Sequence, residues 1–359
     1  LFFFFDRYAI GGAQRIHLDI LEAVQDVHKQ IYFTRSSTDH SLKDVFFSIP
    51  NSINKDIHFW CDNLLIRPFT VHFYAFYLNR HKSAHVLSAN STFFYDILPF
   101  LKRHVIKTEL LHNFTHGKNG MEFFGLANHK LLTNRIVYDS YTLNNIKEQY
   151  RKYNVSPSFL ENIKFIEPGV YIPQHYSKEF STPLKILYAG RGGAQKRIPL
   201  LNAIAEYCIT QKLNVQFHFA GTMIDELSTL VKDHSVIYGA ISTKEQMNEL
   251  YSQSHIVLMT SAYEGFPMLI KESMAFGCVP VVTALEGNKM HLQHGKNALL
   301  IESYENGEDV IKQGISLISK LLHDPALLEH LSLEAYKYAC DKFTKSKFIS
   351  DYRKLLLID

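Results

Sequence analysis

The sequence predicts an α/β fold of two Rossmann-like doubly wound domains facing across a cleft. Short apolar runs alternate with amphipathic stretches along the whole chain. That is the pattern of parallel sheets covered by helices on both faces. At 359 residues the chain exceeds one typical domain. A glycine-bearing turn also recurs after the first strand of each half. Tyr8-Ala-Ile-Gly11-Gly12-Ala13-Gln14-Arg15 is echoed by Tyr188-Ala-Gly-Arg191-Gly192-Gly193-Ala194-Gln195-Lys196. In doubly wound sheets, turns at the carboxyl ends of strands are where ligands sit.

Each element follows from its pattern. In the first half, Phe2–Phe5, Gln30–Phe33, Ala84–Leu87, Val105–Leu111, His129–Leu132 and Ile136–Tyr138 read as strands, with helical patterns at Ala13–Val27 and Tyr141–Tyr153. In the second half the strands are Lys185–Ala189, Val215–Ala220, Val236–Tyr238, Ile256–Met259 and Val279–Thr283. Helical patterns there cover Ile198–Thr210, Lys244–Ser252 and Met268–Phe276. The segment from Glu167-Pro168-Gly169 to Ser181-Thr182-Pro183 is rich in Pro, Gly and small polar residues and marks the boundary. The expected domains are 1–170 and 171–340, with residues 341–359 as a closing helix.

Composition narrows the function. Four cysteines, Cys61, Cys208, Cys278 and Cys340, lie far apart, with neither zinc nor disulfide spacing, which fits a reducing cytosol. A net charge of +3 is too small to imply nucleic-acid binding. No apolar run is long enough to span a bilayer. Leu1-Phe-Phe-Phe-Phe5 is too short for a signal peptide. It is expected to be a buried strand with residues missing before it, since no Met stands at its start. Neither turn matches Gly-X-Gly-X-X-Gly, and a Walker loop and an Asp-X-Asp metal motif are both absent.

The informative stretch is Ser261-Ala-Tyr-Glu264-Gly265-Phe266-Pro267-Met268-Leu-Ile-Lys-Glu272. Two carboxylates stand eight residues apart, around a turn that opens a helix. Pro267 suits a first helical turn. The free amides of Met268 and Leu269 and the helix dipole can hold an anion such as a diphosphate. Glu272, inside the helix, is placed to reach ribose hydroxyls. Arg191 and Lys196 supply cations, Arg with a bidentate fork and Lys as a point charge.

This constellation resembles the donor motif of retaining GT-B glycosyltransferases, family 4 (glycosyl transferases group 1), most closely from Ile186 to Ile301. The resemblance implies a retaining, metal-independent hexosyltransferase that moves a hexose from a nucleotide diphosphate sugar to a hydroxyl acceptor. Its donor would be of the UDP or GDP type, with no cofactor. Polysaccharide, lipopolysaccharide or a lipid-linked sugar is the implied product class. By resemblance, Glu264, His112, Arg191 and Lys196 are the catalytic set. Gly12, Arg191, Lys196, Glu264, Gly265, Phe266, Pro267, Met268, Leu269 and Glu272 hold the donor. Gly11, Gly12 and His112 face the acceptor.

The chain departs from the family pattern at three places. Arg197 stands where members carry Gly, Glu286 replaces a Gly, and Lys289-Met290 replaces Pro-Glu. The Lys289-Met290 change leaves room for a non-catalytic nucleotide-sugar-binding scaffold. An epimerase or phosphorylase of the same fold is a further alternative, though no second phosphate or cofactor site is visible for the latter. The partners expected are the donor and a glycan or lipid-linked acceptor, in the cytoplasm. The stretch from Arg67 to Lys82 mixes aromatics with terminal cations and has two readings. One is an interfacial helix touching the inner face of a membrane. The other, favoured by apolar residues nearly all round it, is a buried helix with a basic exit turn.

Overall fold

A computed structural model describes the chain apart from residues 10, 11, 38, 116–119, 242, 358 and 359. The chain divides into two units. Unit 1 comprises Leu1–Pro168 and Ser346–Asp359, and unit 2 comprises Gly169–Lys345.

Unit 1 holds a seven-stranded parallel sheet. Its strands are β1 (Phe2–Phe5), β2 (Lys29–Phe33), β3 (Ser52–Asp56), β4 (His85–Ala89), β5 (Ile106–Leu110), β6 (Asn134–Val137) and β7 (Ile163–Phe165). They are ordered β3-β2-β1-β4-β5-β6-β7. The four phenylalanines of β1 show why an unbroken apolar run makes a central strand. Phe3 and Phe5 enter the core on one face of the sheet, and Phe2 and Phe4 enter that on the other.

The last helix, Lys345–Leu356, completes the first of these cores. It buries Phe348, Tyr352, Leu355 and Leu356 beside Phe3, Phe5, Ile16 and Ile20. Its Arg353 donates to both carboxylate oxygens of Asp26, at 2.6 and 3.0 Å.

Unit 2 holds six parallel strands: β8 (Leu184–Gly190), β9 (Val215–Gly221), β10 (Val236–Gly239), β11 (Ile256–Met259), β12 (Val279–Thr283) and β13 (Leu299–Ile301). Their order is β10-β9-β8-β11-β12-β13. Ile186 and Tyr188 of β8 enter one core and Leu187 the other. In both sheets the order reverses beside the first strand, which makes each a doubly wound, Rossmann-like domain. No helix among the described residues is long and apolar enough to cross a membrane.

Three expectations need correction. His129–Leu132 is not a strand. It is the exit of helix Met121–Ala127, where the Asn128 amide donates to the Phe124 carbonyl at 2.9 Å and the His129 ring meets the Leu126 carbonyl at 2.7 Å. The helix Arg67–Asn79 is not buried all round. Thr70, Val71, Tyr74, Ala75 and Leu78 face the core, while Phe69, Phe73 and Phe76 are exposed. Strands β3, β7 and β13 and the helix Gly307–His323 were not assigned from the sequence. All three strands lie at sheet edges, and the first two are polar or short, which is typical of edges.

Unit 1 also buries an ion pair between neighbouring strands. Glu109 on β5 and Arg135 on β6 are register partners, with Arg135 Nε 2.9 Å from Glu109 Oε2. Tyr95 donates to Glu109 at 2.8 Å, and Arg135 donates to the Tyr150 hydroxyl at 3.0 Å. Removing one partner from such a pair leaves an uncompensated buried charge. Glu109→Ala is therefore expected to cost about 3–5 kcal/mol in urea denaturation. Glu334→Ala, which breaks a more exposed pair with Lys337, should cost under about 1 kcal/mol.

Candidate active site

In unit 2 the site forms where the loops after β8 and β11 meet. Glycine geometry shapes the first loop. Gly190 has φ 155° and Gly193 φ 103°. A Cβ on Gly192 would overlap the Glu226 carboxylate, which instead accepts a bond from the Gly193 amide at 2.7 Å. The loop closes with a turn from the Lys196 amide to the Gly193 carbonyl, 3.0 Å. The echoed Gly-Gly-Ala-Gln therefore differs in the two units. Gly12 is the exposed first residue of helix Gly12–Ala23, whereas Gly193–Lys196 is a turn before helix Ile198–Thr210. Gly11 lies outside the described residues.

Arg197 takes the left-handed conformation, φ 52°. This explains why glycine suits the position. The guanidinium turns back into the domain. It donates to the carbonyls of Thr260 at 2.6 Å, Tyr304 at 2.7 Å and Ser261 at 3.1 Å. Arg197 thus clamps the loops together and is not aimed at a ligand. The preceding residue, Lys196, pairs with Glu264, and both side chains are largely buried. Arg191 is exposed and donates to Gln195 Oε1 at 2.9 Å. Gln195 in turn donates to the Tyr263 carbonyl at 3.0 Å and accepts at its own carbonyl from the Ala262 amide at 2.8 Å.

The second loop ends at the helix Met268–Ala275, whose N-cap is Pro267 with no side-chain cap. The first amides, those of Met268 and Leu269, have no carbonyl within the helix to donate to. Phe266 is buried and stacks on His291, ring centroids 4.3 Å apart. Glu272, one turn into the helix, accepts from the Tyr251 hydroxyl at 2.7 Å. Gly265 is packed from behind by Gly287, where a Cβ would overlap the Gly265 carbonyl oxygen. The glycine that remains beside Glu286 is thus the one the backbone contact needs. One short region therefore brings together Arg191, Lys196, Glu264, the helix start and Glu272.

In unit 1, His112 follows β5 and is 2% exposed. Its Nε2 lies 2.8 Å from His17 Nε2, and its Nδ1 lies 3.3 Å from the Tyr138 hydroxyl. His17 stacks on Phe5 at 4.1 Å. The sequence reading missed His17. Its place about a turn and a half into helix Gly12–Ala23 is the signal that could have found it.

Residues 174–338 match the family model described as glycosyl transferases group 1. The matched segment, just under half of the chain, contains every unit 2 site residue named above. An uncharacterized glycosyltransferase of Methanocaldococcus jannaschii is 27% identical over 44% of this chain and 41% of its own length. The chain spans about two fifths of the length of the curated relatives it matches. In fold, the chain is similar to Anabaena HepE, solved in complex with UDP and glucose. The TM-score is 0.76 at 14% identity, over 99% of both chains. It is also similar to the lipopolysaccharide outer core galactosyltransferase WaaB in its apo form, with a TM-score of 0.73 at 16% identity over 99% of both chains. The fold around the group 1 segment is GT-B, two Rossmann-like α/β domains in one chain.

The clamp and the exposed cation separate in a stability test. Arg197→Ala loses three bonds from a charged donor and is expected to cost about 2 kcal/mol or more in urea denaturation. Arg191→Ala should change stability by less than about 0.5 kcal/mol.

The buried histidines give a pH dependence. Burial lowers the imidazole of His112 to about 3 and that of His85 to about 4, and it holds His17 well below its ordinary value. In the unfolded chain each takes a proton near pH 6.5. Below that pH the unfolded state binds more protons than the folded one, so stability falls as pH falls. Folding stability is expected to drop by at least about 2 kcal/mol between pH 7 and pH 5. A flat urea midpoint over that range would show these rings protonating in the folded protein.

Proposed function

We propose that the protein is a retaining hexosyltransferase that uses a nucleoside diphosphate sugar, of the UDP or GDP type, without metal or cofactor. The observation that carries this reading is the pairing of Lys196 with Glu264 beside the open start of helix Met268–Ala275. The family match of residues 174–338 and a fold like that of HepE, which was solved with UDP and glucose, support it.

In this reading the diphosphate lies over the helix start. It accepts bonds from the amides of Met268 and Leu269 and from Lys196 and Arg191. Negative charge grows on the leaving phosphate as the anomeric C–O bond breaks, and donors already in place stabilise it. The acceptor hydroxyl forms the new bond to the anomeric carbon and passes its proton to the leaving phosphate oxygen. Glu264, released from Lys196 when the diphosphate takes that cation, binds sugar hydroxyls and steadies positive character at the anomeric carbon. Glu272 holds the ribose. His112 takes no part in this reading, since its two ring nitrogens face His17 and Tyr138. Gly12, exposed at the start of helix Gly12–Ala23, is an acceptor-side candidate. The acceptor class is a glycan or lipid-linked sugar in polysaccharide or lipopolysaccharide assembly, on the cytoplasmic side.

The test is a thermal-shift screen of nucleoside diphosphates and their sugars in EDTA, followed by transfer kinetics. A ligand bound only by the folded state raises the melting temperature. A selective shift without metal is expected, and it should shrink in Arg191→Ala. Glu272→Ala should weaken donor binding, about tenfold or more for one lost charged hydrogen bond. Lys196→Ala should lower kcat more than it raises KM, by about a hundredfold or more. Unchanged kinetics in both variants would remove the site assignment, and no shift with any nucleotide would remove the donor class.

A further inference from the structure

The most exposed large apolar side chains among the described residues cluster at one place on unit 1. Leu64 is 84% exposed, Leu65 83% and Phe69 77%. Phe59, Trp60, Phe73 and Phe76 beside them are each about half to two-thirds exposed. Trp60 and Phe59 lie on the short helix His58–Asp62, and Leu64 and Leu65 lie on the loop that follows. Phe69, Phe73 and Phe76 follow one another at helical spacing on Arg67–Asn79, on the face opposite its core contacts. A shallow groove lined by Trp60, Phe69, Thr70, Phe73 and Tyr74 joins the two helices. At about 200 Å² for each aromatic side chain, the five rings alone present about 600 Å² of apolar surface. That reaches the upper end of the largest patch on an ordinary monomer, before the two leucines are added.

The rim is cationic. Residues 58–104 carry five Lys or Arg against two Asp, and one of the two, Asp96, is paired with Arg67 at 2.6 Å. Arg80, Lys82, Lys102 and Arg103 are all exposed. The Arg80 guanidinium lies 5.7 Å from the Phe76 ring, at the edge of the apolar face.

We propose that this face docks on an anionic lipid bilayer, with helix Arg67–Asn79 lying in the plane of the membrane surface. Aromatic and leucine side chains enter the boundary between headgroups and acyl chains, and the cations meet lipid phosphates. The charge selects this occupant over a second copy of the chain. A two-fold dimer would set the same basic rim against itself, whereas an anionic headgroup layer complements it.

The chain carries its own probe, because Trp60 is its only tryptophan and sits in the patch. Vesicles of phosphatidylcholine alone and of phosphatidylcholine with phosphatidylglycerol are titrated into the full chain. Trp60 emission is followed, with co-sedimentation in parallel. Anionic vesicles should shift the emission to the blue and carry the protein down, and neutral vesicles should do so much less. The triple variant Phe69→Ser/Phe73→Ser/Phe76→Ser should bind at least about tenfold more weakly at an unchanged melting temperature. Arg80→Glu/Lys82→Glu should weaken binding to anionic vesicles only. Trp60 emission that ignores both vesicles, or equal binding to both, overturns the proposal. So does a dimer seen by sedimentation velocity without lipid and abolished by the triple variant. The experiment uses no nucleotide, so its outcome is independent of the donor reading.

Discussion

One guanidinium fixes the geometry on which the site in unit 2 depends. Arg197 sits in left-handed backbone, and its side chain takes carbonyls from both Thr260 and Ser261 and from Tyr304. The loop after β8 is thereby fastened to the loop after β11. Lys196 comes just before the clamp, so its direction is set, and its ammonium meets Glu264. From the other side, Gly287 allows the backbone after β12 to press on the Gly265 carbonyl. The two glutamates then stand on a segment held from both ends. The loop backbone is thereby fixed, and the Lys196–Glu264 side-chain pair is the part left to exchange partners.

Unit 1 handles its polar groups differently. Glu109 and Arg135 neutralise each other inside the core and are held by two tyrosine hydroxyls. His17 and His112 are kept neutral by burial, His17 also by the ring of His112 beside it, and Phe5 covers the inner ring. A neutral imidazole can share a hydrogen bond without adding charge to its surroundings. The same unit leaves an apolar helix face at the surface with a basic rim.

Much of this was legible in the sequence because the signals were local. Phe2–Phe5, Ile256–Met259 and Val279–Thr283 form strands at the expected bounds, and Ile198–Thr210 forms a helix at the expected bounds. In each, an apolar run or a clear period is bracketed by turn residues. The helical pattern from Met268 placed the helix start correctly, with Pro267 at the extended N-cap just before it and not inside the first turn. What escaped was set by tertiary contact. Lys196 and Arg197 are adjacent cations, and only the backbone angle at Arg197 and the carbonyls around it tell them apart. The pairing of His17 with His112 spans most of unit 1. Exposure of Phe69, Phe73 and Phe76 could not be read from a helix apolar on both faces, since periodicity reports which sides differ and here neither does.

The most direct measurement is a crystal structure of the chain with the nucleoside diphosphate that raises its melting temperature most. The account predicts the diphosphate at the start of helix Met268–Ala275, within hydrogen-bond distance of Lys196 and the Met268 or Leu269 amide, with the ribose against Glu272. A diphosphate bound elsewhere, with Lys196 still paired to Glu264, would contradict it.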